Sequence, residues 1–145
     1  MGSVDATIAA LNAFVPADDG KDVARLYEIF EDFAYRAGRE LAIRPIFDLL
    51  ERFPDSDLGS PGPLVHELEA IDGYQPFLRE SLHRRPTATT VWMVNRILNS
   101  PLPDENRRSW MSELHAVGSH PGAPASAREE AASFLDHQKG RTRAV

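Results

Sequence analysis

The chain has 145 residues, one domain's worth, with an ordinary 42% of apolar residues and a net charge of −6. It contains no cysteine, which excludes a disulfide framework, a zinc–thiolate centre and a thiol nucleophile. No apolar run reaches the roughly 18 residues of a membrane span and no signal-peptide pattern opens the chain, so a cytoplasmic protein with no membrane partner is expected.

Val4 to Phe14 places Ile8, Leu11 and Phe14 at helical spacing and predicts a first helix before Val15-Pro16. Asp18-Asp19-Gly20 reads as a loop, and Val23, Leu26, Phe30, Phe33 and Ala37 predict one helix from Asp22 to Ala37, stopped at Gly38. Pro45 sits where a proline starts a helix, and Pro54 stops it. After a loop rich in Asp, Ser, Pro and Gly, Pro63 starts a helix to about Ile71 with Leu64, Val65 and Leu68 inward and His66, Glu67 and Glu69 outward. Pro76 starts the next, stopped by Pro86. Thr87 caps a helix to Asn99, Asp104 caps one ended by Gly118, and Ser126 with Glu129 forms a capping-box pair for the last. Residues 1–138 are expected to form a single helical domain, and 139–145 a flexible basic tail. Phe30, Phe33, Leu49, Leu50, Leu64, Leu68, Val91, Val94, Leu98 and Leu135 are the expected core.

No stretch alternates with period two, so the chain is expected to be all-α, with about eight helices. RPIFDLLERFP from Arg44 echoes QPFLRESLHRRP from Gln75 at an offset of about 31 residues, and a third pair starts at Asp104. That echo predicts short antiparallel helix pairs, arranged as a HEAT-like α-solenoid or as a compact helical bundle.

Chemistry is mostly absent. There is no glycine-rich phosphate loop, nucleophile elbow or HExxH pair. Asp55-Ser56-Asp57-Leu58-Gly59 begins like a calcium loop, but Ser60 and His66 stand where glycine and glutamate are required. Glu80 and His83 make a single Glu-x-x-His pair, half of what a di-iron bundle needs. No enzyme, metal or cofactor is expected. The charge is uneven. Residues 1–80 hold 16 acids against 7 bases, a net −9, and residues 81–145 hold 6 against 9, a net +3. An acidic half argues against direct nucleic-acid binding and for a basic partner, although acids also simply keep helices in water.

The helix from Thr87 to Asn99 is unusual in its polar arc, where Trp92, Asn95, Arg96 and Asn99 replace the usual Lys, Glu and Gln. Trp and Arg are enriched at binding hot spots, but Trp92 could equally fill a second core.

SPGPLVHELE at Ser60 to Glu69 and PTATTVWMVNRILN at Pro86 to Asn99 resemble a group of small bacterial proteins. These are HEAT-like immunity proteins encoded beside polymorphic toxins of the Rhs and contact-dependent-inhibition type. The shared pattern is a PGPLVH helix start, an aromatic, proline-containing helix, then a Thr-rich WM-x-NR-x-x-N helix. The resemblance implies an inhibitor that binds one cognate toxin domain and blocks it. Carried over by position, its candidate partner residues are His66, Glu69, Trp92, Asn95, Arg96 and Asn99, as contacts or as fold determinants. Charge adds Asp55, Asp57 and Glu67 as acids that would draw in a basic effector domain aimed at nucleic acid. The alternative is a HEAT-like adaptor without a toxin partner, and a weaker third reading is a metal enzyme using His66 and Glu69.

Overall fold

The structure, a computed structural model, describes residues 4–143, with side chains in the last helix as far as Arg141. Among the described residues it is all-helical. The helices are α1 (Asp5–Ala13), α2 (Asp22–Ile29), α3 (Ile43–Arg52), α4 (Gly62–Glu69), α5 (Gln75–Arg84), α6 (Ala88–Leu98), α7 (Asp104–Val117) and α8 (Ala125–Arg143), with 3₁₀ turns at Phe33–Tyr35 and Arg39–Ala42. No helix among them is long and apolar enough to cross a membrane.

The chain divides into two compact units, Met1–Leu78 and Arg79–Val145, with the boundary inside α5. A single domain over residues 1–138 was expected from length. The division follows charge. The first unit holds 15 acids against 6 bases, a net −9, and the second 7 against 10, a net +3. In the first unit α1 packs on α2 and α3, and α4 packs on α2 and α3; in the second, α6, α7 and α8 all pack on one another. This grouping is that of small bundles, not of three successive helix pairs.

In the first unit Leu11, Leu26, Phe33, Ile43, Ile46, Phe47, Leu49, Leu64, Val65 and Leu68 are buried, a face set by the three- and four-residue spacing of each helix. Arg52 on α3 reaches across to the C-terminal end of α1 and donates to the Leu11 and Asn12 carbonyls at 3.0 and 3.4 Å. A guanidinium there satisfies carbonyls that the helix leaves over and opposes its negative end. Between α3 and α4, Gly59 adopts φ +110°, and a Cβ there would collide with the Gly62 Cα. Only glycine closes that turn.

Helix α2 ends at Ile29 instead of continuing to Ala37. Asp32 takes a left-handed conformation, φ 61°, which breaks the helical path. The break lets Phe33 turn back onto Phe30, ring edge to ring face at 5.3 Å and 74°, so that both rings are buried.

In the second unit α6 is capped as expected. Thr87 accepts from the Thr90 backbone N–H at 3.1 Å, and the Thr90 hydroxyl accepts from the Thr87 N–H at 3.0 Å. Helix α8 starts at Ala125, so Ser126 lies inside the helix and not before it. It also runs on to Arg143, so 139–143 are helical where a tail was expected; Ala144 and Val145 lie outside the described residues. Leu135 is only half-buried. The inward positions of α8 are Ala127, Ala131 and Gln138, small or polar side chains that suit a close approach. The other nine expected core residues are all buried. Leu98 is wholly buried, and Leu98→Ala is expected to cost on the order of 2–5 kcal/mol, read by chemical denaturation.

Candidate functional site

The sequence-derived site residues fall into two sets, one in each unit. In the first unit, Asp55 and Asp57 line a cleft of about 390 Å³ together with Asp18, Gly20, Asp22 and Val23. Its far wall is built by Asp22 at the start of α2. Asp22 is 3% exposed and accepts from the Ala17 and Asp18 backbone N–H groups, both at 2.9 Å, and from Arg25 at 2.7 Å. Three donors hold that carboxylate and fix the loop before the helix. Arg25 also pairs with Asp19 at 2.6 Å, and this bond, with the Lys21 N–H, lowers the Asp19 pKa. Asp57 accepts from the Gly59 N–H at 3.1 Å, an Asx turn. Asp18, Asp55 and Asp57 are exposed, so the rim of the cleft carries negative charge.

On α4, His66 is exposed, whereas Glu67 and Glu69 are half-buried, more covered than their position opposite Leu64 and Leu68 predicted. Burial raises the Glu67 pKa, and the nearby charges of Arg39 and His66 oppose that rise without cancelling it. Arg39 comes from the 3₁₀ turn before α3.

In the second unit the polar arc of α6 separates into two pairs. Trp92 and Arg96 are half-buried, with the Arg96 guanidinium 5.6 Å from the centre of the Trp92 ring. Asn95 and Asn99 face Gln138 of α8. The fully buried Gln138 amide donates to Asn95 Oδ1 at 2.7 Å and to Asn99 Oδ1 at 2.8 Å. Arg141 donates to Asn99 Oδ1 at 2.7 Å, and Arg107 donates to the Leu98 carbonyl at 3.0 Å. Asn95 is 7% exposed. The hydrogen-bonding capacity expected to face a partner is used here to join α6 to α8, so Asn95 is a fold determinant and Asn99 is engaged with it.

A further cluster joins α5 to α7. Arg79 lies 3.8 Å from the centre of the buried Trp110 ring and pairs with Glu113 at 3.1 Å. His83 Nε2 meets the other Glu113 oxygen at 2.8 Å. Glu80 and His83 show a Glu-x-x-His spacing on one helix, but the carboxylate that His83 meets is Glu113, thirty residues on. His120 donates from Nε2 to the His83 carbonyl and accepts the Gly122 N–H at Nδ1, which sets its tautomer. No group of three or more His, Asp or Glu residues among the described residues has metal-holding geometry.

Sequence reasoning missed the exposed apolar side chains. Among the described residues, Val15, Tyr27, Tyr35 and Leu41 are the large hydrophobics left in water. Tyr27 lies on α2 and Tyr35 in the 3₁₀ turn that follows it.

The class of molecule that fold and surface define is an all-helical protein with an acidic N-terminal unit and an internally satisfied C-terminal one. Comparison with protein-family models, with curated proteins and with solved structures returns no match to this chain.

Two outcomes follow from the geometry. Gln138→Ala would strand the buried Asn95 oxygen and is expected to cost roughly 1–3 kcal/mol in equilibrium unfolding. For Glu67 the folded pKa is raised, so the folded state holds the proton more tightly than the unfolded chain does. Stability from this group is therefore present at pH values below its ordinary range and lost as pH rises through its raised folded value. Glu67→Gln should flatten that fall in a series of melts across the mildly acidic range.

Proposed function

We propose that this chain is an immunity protein that acts in the cytoplasm, where it binds a basic toxin domain and neutralises it by covering its active or substrate-binding surface. The observation that carries the reading is the placement of charge. The −9 of the first 78 residues coincides with one compact unit, whose cleft exposes Asp18, Asp55 and Asp57. A toxin that handles nucleic acid must present a basic surface to its phosphates, and an acidic unit competes for that surface. The resemblance of the Ser60–Glu69 and Pro86–Asn99 stretches supports the same reading.

The acids would act over distance, speeding encounter at low salt, while short-range contacts set the lifetime of the complex. Asp55, Asp57, Glu67 and Glu69 supply the first effect, and the exposed His66 beside them would add a short-range contact. On α6 the half-buried Trp92, with Arg96 5.6 Å from its ring centre, would add contact area, while Asn95 and Asn99 serve the fold. The protein is read as a binder with no cofactor and no reaction of its own.

The test is co-expression with the product of the adjacent gene. Cells making that product should survive only when this chain is present, and the two should bind directly. The double charge reversal Asp55→Lys/Asp57→Lys should slow association by about tenfold at low salt and much less at high salt, with dissociation little changed. A neighbouring product that neither binds this chain nor harms cells lacking it sinks the immunity reading.

A further inference from the structure

Three of the four large hydrophobic side chains exposed among the described residues lie between residues 27 and 41: Tyr27 at 53%, Tyr35 at 83% and Leu41 at 62%. Single exposed apolar residues need no explanation, but three of the four falling within one fifteen-residue segment is a concentration that calls for one. This segment is also well held from beneath. Phe30 and Phe33 are buried edge to face, Ala42 and Ile43 are buried, and the two 3₁₀ turns are closed by the Tyr35 N–H to the Asp32 carbonyl and the Leu41 N–H to the Gly38 carbonyl. The exposed side chains therefore sit on a defined support, which lowers the entropy lost when they are covered.

The charges of the segment divide by depth. Glu28, Glu31, Asp32 and Glu40 are exposed, while Arg36 and Arg39 are half-buried, and Arg39 acts on Glu67 of α4. The most exposed large and charged groups are thus tyrosine, leucine and carboxylate, and four acids against two half-buried bases leave the segment at net −2. Tyrosine faces attract guanidinium and ammonium groups, carboxylates pair with them, and the leucine offers apolar area.

We propose that residues 27–41 form a docking surface for a basic segment of a partner protein, one that places Arg or Lys on Tyr27 or Tyr35 and an apolar side chain on Leu41. This deepens the proposed function by naming a contact surface, and it rests on that reading only for the partner's biological identity. The occupant is fixed by charge. A second copy of the same surface would bring the exposed acids against one another, and an anionic lipid surface or nucleic acid would be repelled by them.

The experiment pans a random peptide library on the intact chain and measures enriched peptides against two variants. One variant is Tyr27→Ser/Tyr35→Ser/Leu41→Ser. The other is Glu28→Lys/Glu31→Lys. Enriched peptides should carry Arg or Lys beside an apolar residue, bind the first variant about tenfold or more weakly, and lose affinity to the second variant and to added salt. Circular dichroism checks that each variant keeps its helices. If the first does not, the charge variant decides alone. No enrichment, enrichment of acidic or uncharged peptides, or binding that ignores a folded variant overturns the proposal. A toxin that binds normally while the peptides ignore the variants removes this surface alone. Peptides that behave as expected while the neighbouring product fails to bind remove the immunity reading alone.

Discussion

One buried amide decides which part of this molecule faces outward. Gln138 is fully buried and bonds Asn95 and Asn99 from a helix about forty residues away. An amide placed there without partners would cost far more than the bonds return in water, so the three side chains are mutually obligatory. Their register sets α8 against α6, with Ala127 and Ala131 small enough to let the backbones approach. The Leu98 carbonyl at the end of α6 is then within reach of Arg107 and Arg141. The asparagines of the α6 polar face are thereby committed to packing within a three-helix unit. Among the described residues, no buried side-chain nitrogen or oxygen is left without a partner. A fully satisfied polar network of this kind specifies one packing arrangement more than it adds stability.

The outward-facing chemistry consequently lies in the first unit, where it is carried by charge. Asp22 is committed to the loop before α2 through two backbone N–H groups and Arg25. The rim aspartates of the same cleft are exposed. One carboxylate therefore builds the wall, and its neighbours present their charge to solvent. At physiological salt such exposed charges act within about 8 Å, so they orient an arriving basic partner but do not hold it. Holding requires desolvated area, and the tyrosines and leucine of residues 27–41 offer it in the same unit.

The helices were legible in the sequence because their signals are local. Prolines at helix starts, the Thr87 cap and the 3.6-residue periodicity act within a turn or two, and nine of the ten core positions named from them are buried. What the sequence concealed depended on contacts between elements. Asn95 reads as a surface residue until Gln138 arrives, 43 positions later. Leu135 reads as core until Ala127 and Ala131 bring α8 into position. His83 has an apparent partner at Glu80 but meets Glu113. The charge division was visible as a tally, but its coincidence with a structural boundary was not. Asp55 and Asp57 could be named as acids, whereas their sharing a cleft with Asp18 and Asp22 needed the fold.

The early end of α2 links these two kinds of information. Helical periodicity alone places Phe30, Phe33 and Ala37 on one stripe and runs the helix to Gly38. The structure instead puts Asp32 in the left-handed region, one of the few side chains that tolerates it, and the chain turns there. The turn has a modest local cost, and burial of two phenylalanine rings in edge contact offsets it. A consequence appears on the other side of the chain. The residues from Asp32 to Leu41 form a short, supported segment with acids and an aromatic ring outward. The turn that seats Phe33 in the core thus shares one short segment with Tyr35, the most exposed aromatic side chain among the described residues. Core packing and surface chemistry are here set by one backbone conformation.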